Sequence, residues 1–139
     1  MNEYRWDDLR VGLRHEFQVT LVPEMMDAFA RLSGDDNPLH VDAAYALAAG
    51  FPGPVAFGLL TSSFYSQLVG VHLPGKLALL HGIDVDFVAP AFVGDTLRIS
   101  GEVRDLVEAY HRIEMRARIT NQHEKLVSKA KIRVGLHAR

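Results

Sequence analysis

Residues 55–71 read VAFGLLTSSFYSQLVGV, and this stretch contains no charged side chain. A helix that lies on a protein surface carries polar and charged residues along one of its faces. We therefore interpret the stretch as a helix that other parts of the chain surround. Gly58 lies near its beginning, and Gly58, Ser62 and Ser66 recur at the four-residue spacing that places them on one helix face.

The segments that surround this helix alternate between apolar and polar residues, as half-buried strands do. Each has one dry face and one wet face, which is typical of an antiparallel sheet covered on a single side. The alternating segments are residues 16–21, 83–87, 97–104, 112–119 and 125–134. The sequence thus predicts an α+β fold in which a curved antiparallel sheet of about five strands wraps around a long central helix.

Two further helices and a turn are indicated by residues that begin or end such elements. Apolar residues recur at three- and four-residue spacing between Pro23 and Gly34, where the glycine closes the helix. A short helix is expected over residues 42–50, with Asp42 placed to cap it and Gly50 to end it. Residues 121–124, NQHE, are the expected turn of the last hairpin.

Composition and charge limit the class of protein. The chain of 139 residues, 48% of them hydrophobic and 23% charged, suits a single domain over residues 1–139 with an apolar core. A formal net charge of −2 argues against binding to nucleic acid or to an anionic membrane. Lys and Arg are concentrated after residue 90, where they face either solvent or an anionic ligand tail.

The residue types and sequence features that the chain lacks further narrow the class of protein to which it can belong. The chain lacks cysteine, which excludes disulfides, thiolate metal sites and a cysteine nucleophile. Its first residues, MNEYRWDD, lack the apolar core of a signal peptide, and no apolar run reaches membrane-spanning length. We therefore expect a cytoplasmic protein with no membrane association. The histidines other than His40 show no ligand spacing with a carboxylate, so no metal site is expected.

Residues 33–40, SGDDNPLH, place a carboxylate and an imidazole around an Asn-Pro turn. Asp35 and His40 could together hold one water molecule and remove a proton from it, as general acid-base catalysis requires. Pro38 fixes its own φ and biases Asn37 away from helical conformation, which restricts the loop. The alternative interpretation is an ordinary helix exit followed by a turn.

SGDDNPLH also resembles the hydratase motif of the MaoC-like family, which contains (R)-specific enoyl-CoA hydratases and related dehydratases. GPVAFG at residues 53–58 and FVAPAFVGDTL at residues 87–97 extend the resemblance, in matching order, over most of the chain. The resemblance implies a hotdog fold and a homodimer whose two sheets are joined. It further implies hydration of a trans-2-enoyl thioester to its (R)-3-hydroxyacyl form, or the reverse dehydration, without a cofactor.

The resemblance also implies roles for particular residues. Asp35 is the expected general base, and His40 is expected to orient the water or relay its proton. Asn37 and Pro38 shape the loop between them, and Ser66 matches a family serine that supports the site. Gly58 is a candidate for binding the thioester carbonyl, because the N–H groups at a helix start are unpaired and a missing side chain permits close approach.

Phe57 departs from the family pattern, which usually has His before the glycine. Because the oxyanion donor is a backbone group, this change need not remove activity. Two other functions remain open: a hotdog acyl-thioesterase, and a subunit that binds acyl thioesters without turning them over. Intact Asp35, Asn37, His40 and Gly58 argue against the second. The sequence does not distinguish acyl-CoA from acyl-carrier protein as the thioester, because both present the same phosphopantetheine arm.

Overall fold

The computed structural model of the protein describes residues 1–137 and contains a curved five-stranded antiparallel sheet. The strands are β1 (Arg14–Thr20), β2 (Ala78–Phe87), β3 (Thr96–Val107), β4 (Arg112–Thr120) and β5 (Leu126–Leu136). They follow the order β1-β3-β4-β5-β2 in the sheet, so β2 forms one edge. All four strand pairings are antiparallel.

Helices occupy the part of the chain between β1 and β2. Helix α4 is the central helix, and it continues without interruption into a π-helical segment over Leu68–His72. Short 3-10 turns lie at Trp6–Asp8 and Glu108–Tyr110. The α-helices are α1 (Pro23–Ser33), α2 (Pro38–Val41), α3 (Ala43–Ala48) and α4 (Gly58–Gln67).

The sheet buries its apolar face against α4 and the π-helical segment. A Cβ atom placed on Gly101 in β3 would lie 2.6 Å from a methyl group of Leu68, so the strand backbone and this segment are in direct contact. Tyr65 reaches from α4 into the sheet, where its hydroxyl group hydrogen-bonds Ser128 of β5 at 2.8 Å. The central helix is therefore held by both apolar packing and a buried polar contact.

The N-terminal segment covers the far end of the central helix. The backbone N–H of Asn2 donates to the carbonyl oxygen of Val71 at 2.8 Å, and its side-chain amide donates to the carbonyl oxygen of His72 at 2.8 Å. The His72 ring stacks on Phe17 of β1 with 4.6 Å between ring centroids. These contacts satisfy carbonyl groups that a helix end leaves unpaired.

The structure confirms the α+β fold, with a curved antiparallel sheet around a central helix, and each of the expected strands. Gly34 ends α1 with a φ of 75°, and the Asp42 side chain accepts a hydrogen bond from the N–H of Tyr45 at the start of α3. The turn at residues 121–124 is also confirmed, because Asn121 accepts two backbone hydrogen bonds through its side chain.

The central helix differs from the prediction at its beginning. It starts at Gly58 and not at Val55, because residues 55 and 56 are extended and pair with another segment. Val55 forms a bridge with Phe92, and the N–H of Ala56 donates to the carbonyl oxygen of Ala91 at 2.8 Å. The one-turn helix α2 was not predicted either.

Within residues 1–137, no helix has the length and apolarity needed to cross a membrane.

Candidate active site

The loop after α1 is ordered by side chains that bond the backbone two residues further on. Ser33 accepts a hydrogen bond from the N–H of Asp35 at 3.1 Å, and Asp35 accepts one from the N–H of Asn37 at 3.1 Å. Asn37 in turn accepts from the N–H of Leu39 at 3.0 Å and thereby caps α2. Short polar side chains favour such local bonds, which compete with helix continuation. Asp35 therefore sits in a defined, solvent-exposed turn.

Helix α2 places His40 against the extended segment before α4. Nδ1 of His40 lies 2.6 Å from the carbonyl oxygen of Val55. Because a carbonyl oxygen can only accept, Nδ1 carries the hydrogen and the neutral ring keeps its free electron pair on Nε2. The Phe57 ring stacks on the imidazole with 4.3 Å between centroids and 29° between planes. In its neutral form, His40 thus presents Nε2 as a hydrogen-bond acceptor.

Backbone hydrogen bonding also joins the two ends of the segment between His40 and α4. The N–H of Val55 donates to the carbonyl oxygen of Leu39 at 3.0 Å. Residues 39–55 consequently form a closed loop that contains α3, and both ends of the loop lie at the candidate site.

Gly58 is the first residue of α4, with Phe57 as the capping position. The first N–H groups of an α-helix have no acceptor within the helix, and the helix dipole favours negative charge there. A Cβ atom on residue 58 would lie 2.9 Å from Cε1 of Phe87, so glycine is needed for the ring to approach. The N–H groups at this helix start can therefore bind an anionic oxygen.

A cavity of about 360 Å³ brings these parts together. That volume lies in the range of small-molecule sites. Its lining combines the imidazole and the helix start with mostly apolar side chains. The lining residues are His40, Val55, Ala56, Gly58, Thr61, Phe87, Val88, Ala89, Pro90, Ala91 and Val127.

Some of the residues predicted from the sequence line this cavity, and others lie outside it. His40 and Gly58 both line it. Asp35, Asn37 and Pro38 belong to the exposed turn that leads to His40, outside the cavity lining. Ser66 lies two turns beyond Gly58 on α4, is exposed, and forms no hydrogen bond with Asp35 in the described part of the chain.

Three residues of the site were missed by the sequence analysis. Val55 supplies the carbonyl group that orients His40, Phe87 covers Gly58, and Val127 closes the cavity from β5. Val55 and Phe87 each lie in a stretch that carries the family resemblance, so their position beside the other motif residues was available as a signal. For Val127 the sequence holds no comparable signal, because its place depends on the bulge that begins β5.

A larger groove of about 710 Å³ lies on the outer face of the sheet. Its lining includes Lys129 and Lys131, which stand opposite Asp86 and Asp84 in the register of β5 with β2. Charged side chains of both signs alternate there, which is typical of a solvated strand face. The smaller cavity is the candidate active site, because an imidazole and the unpaired start of a helix line it. Among residues 1–137, no cluster of three or more His, Cys, Asp or Glu side chains could hold a metal ion.

Comparison with known proteins supports the fold described above. The family model described as MaoC like domain matches residues 9–125. The chain is 39% identical over 100 residues to the (R)-specific enoyl-CoA hydratase of Aeromonas caviae, which covers 72% of this chain and 75% of that protein. It is 30% identical over 110 residues to the 3-hydroxybutyryl-CoA dehydratase of Methylorubrum extorquens, covering 79% of this chain and 70% of that protein.

A solved structure extends the similarity to three dimensions. The (R)-hydratase from A. caviae involved in PHA biosynthesis superposes with a TM-score of 0.89 at 35% identity, covering 92% of this chain and 97% of that chain. The hotdog fold implied by the sequence motifs is thereby confirmed. The extent of the family-model match and the identity with these relatives together show that the chain belongs to the MaoC-like domain family.

Proposed function

We propose that the protein is a hydro-lyase that adds water to a trans-2-enoyl thioester to give the (R)-3-hydroxyacyl thioester, or catalyses the reverse dehydration. One observation carries the proposal beyond family membership: His40 and the start of α4 at Gly58 line one cavity. The first can bind water and the second can bind a carbonyl oxygen that becomes negative. Two requirements of the reaction, a group that binds the water and a donor for the enolate oxygen, thus lie within one apolar site.

The chemistry follows from these groups. The thioester carbonyl accepts a hydrogen bond from the Gly58 N–H, which stabilises the enolate oxygen that forms when water attacks C3. Asp35 takes the proton that leaves the water, while Nε2 of His40 accepts its other hydrogen and fixes its direction. The Asp35–His40 pair then returns a proton to C2, and the enolate collapses to the saturated thioester. Atoms and charge balance with no cofactor.

The role of Asp35 rests on its place in the motif, because the residue lies in the exposed turn that leads to His40 and not in the cavity lining. Asp35 lies five residues before His40, and the turn between them is fixed by hydrogen bonds from the N–H groups of Asn37 and Leu39 to side chains of the same loop. Pro38 at the first position of α2 adds the rigidity of its ring. In this proposal Ser66 supports the site from the exposed face of α4.

We further propose that the protein works as a homodimer joined through β2. This strand forms an edge of the sheet, and an unpaired edge of ten residues readily adds another strand. Large apolar side chains are exposed along it, among them Leu79 at 54%, Leu80 at 46% and Phe87 at 54%. A second copy would cover them and continue the sheet.

The proposed compartment is the cytoplasm, since the charged outer face of the sheet suits an aqueous setting.

The experiment that tests the activity follows the conjugated enoyl-thioester absorbance of crotonyl-CoA on addition of pure protein, with chiral analysis of the product. Loss of absorbance without release of free CoA, and an (R)-3-hydroxy product, is the expected result. Release of free CoA would instead indicate a thioesterase. No reaction with CoA or acyl-carrier-protein thioesters of several chain lengths would indicate a binding subunit. Light scattering after size-exclusion chromatography, with twice the mass of one chain expected, tests the dimer.

A further inference from the structure

Phe57 contacts two aromatic rings at the start of the central helix. It is 2% exposed, and its ring packs against the imidazole of His40 and against the Phe29 ring. The centroid distances are 4.3 Å to His40 and 4.8 Å to Phe29. Of the two neighbours, only His40 lines the cavity. Phe57 is therefore buried behind the imidazole and has no direct access to substrate.

The imidazole is constrained by two residues of one short extended segment. The carbonyl oxygen of Val55 accepts a hydrogen bond from Nδ1, and Phe57, two residues later, packs against the ring face. A hydrogen bond to one ring atom still permits the ring to tilt about that bond. A flat surface at 29° to the ring limits the tilt. The two contacts are complementary, and neither alone fixes the direction of Nε2.

We propose that Phe57 is a positioning residue, which holds the His40 ring so that Nδ1 keeps its hydrogen bond to Val55 and the free electron pair of Nε2 points into the cavity. The inference rests on the proposed hydratase function for its catalytic consequence, but the orientation of the ring is independent of it. The position at which the family usually has His is, in this chain, an apolar clamp for the catalytic imidazole.

The structure offers a matched control for this role. Phe57→Leu and Phe29→Leu each remove one buried or partly buried aromatic ring from the same cluster, but only Phe57→Leu removes a contact with His40. A general loss of core packing would affect both variants. Loss of imidazole positioning would affect only the first. Phe57→His, which keeps a flat ring behind His40, serves as the conservative variant.

Steady-state hydration of crotonyl-CoA by these variants is the first measurement. Phe57→Leu is expected to lower kcat by on the order of 10 to 10²-fold, because small misplacement of a catalytic group is costly, while KM changes little. Phe29→Leu and Phe57→His should stay close to wild type in kcat. Equal losses in the two leucine variants, or an unchanged kcat in Phe57→Leu, would refute the positioning role.

A spectroscopic measurement separates this inference from the proposed activity. The ¹⁵N chemical shifts of the His40 ring report which nitrogen carries the hydrogen, whether or not the protein turns over substrate. Wild type and Phe29→Leu should show a protonated Nδ1 and a bare Nε2, and Phe57→Leu should show a mixture of the two neutral forms. An unchanged pattern in Phe57→Leu overturns the inference, whereas an inactive wild type overturns only the activity. If Phe57→Leu does not fold, Phe57→Met removes the ring at nearly constant volume and takes its place.

Discussion

The phenolic oxygen of Tyr65 lies 2.8 Å from the hydroxyl oxygen of Ser128, which joins the middle of the central helix to β5 inside the core. The two side chains are 1% and 0% exposed. Burial raises the pKa of Tyr65 from 10.0 to about 12, with the Ser128 hydrogen bond and the charge of Arg118 acting in the opposite direction. The phenol therefore stays neutral and can donate throughout the physiological range.

Tyr65→Phe should lower the free energy of unfolding by about 1–3 kcal/mol, because it leaves the Ser128 hydroxyl buried without its partner. Adding Ser128→Ala should recover part of this loss, since both polar groups are then gone. Urea unfolding of the two single variants and the double variant gives the coupling energy. Strictly additive losses would show that the contact contributes nothing beyond packing.

Protonation of His72 should make the stability of the protein depend on pH. Burial, and then the charges of His15 and the N-terminal amine, lower the pKa of His72 below its ordinary 6.5. Its Nε2 is buried without a hydrogen-bond partner in the described structure. The unfolded chain therefore takes up a proton at higher pH than the folded one, and stability present above pH 6.5 is lost as the pH falls towards the lower folded value.

Thermal unfolding of wild type and His72→Phe between pH 8 and pH 5 checks this expectation. Phe17 already stacks on the ring, so an aromatic replacement retains that contact. The variant should lose less stability than wild type on acidification. Identical slopes in the two proteins would place the acid sensitivity elsewhere, with His15 as the next residue to test.

Asp35→Asn and His40→Ala should each lower hydration of crotonyl-CoA by on the order of 10²–10⁴-fold, the contribution of a positioned acid or base. Asp35 is exposed, and its replacement by Asn keeps the oxygen that accepts the Asn37 N–H. Folding should therefore be unchanged by circular dichroism. Asp36→Asn makes the same chemical change one residue later and should be almost neutral. Comparable losses at Asp35 and Asp36 would argue against a specific base.

Gly58→Ala should lower activity by about tenfold or more, because its Cβ would push the Phe87 ring into the cavity and disturb the carbonyl position. The backbone N–H is retained, so the defect comes from the ring. In a Phe87→Ala background the same substitution should have little effect. If Gly58→Ala remained equally harmful in that background, the collision with Phe87 would not be the cause.

Periodicity was sufficient to predict the strands and the central helix, since burial on one face imposes its spacing directly on the sequence. It could not find where α4 begins. Val55 and Ala56 are as uncharged as the helix that follows, and pairing with Phe92 and Ala91 keeps them extended. Tertiary contacts decide whether residues 55 and 56 extend the helix or pair with another segment, and periodicity does not report such contacts.

The candidate site was likewise predictable from the sequence only in part. His40 and Gly58, which line the cavity, were singled out from motif and chemistry, because residue type and local spacing carry that signal. The role of Asp35 stays a prediction. The partner of Nδ1 in His40 could not be predicted, since any carbonyl group can accept and only the folded chain selects Val55. The ring that covers Gly58 comes from β2 and is likewise set by strand register.

The closed loop over residues 39–55 has a consequence for how such an enzyme can diversify. Its two ends are tied by the hydrogen bond between Val55 and Leu39, and the contact between His40 and Val55 lies at the same closure. Extra residues inserted near Pro52 or Gly53 would lengthen a ring whose ends stay fixed, at about 0.6 kcal/mol of loop-closure entropy for each doubling. The segment is thus a place where evolution or an engineer can add residues without moving the His40 imidazole.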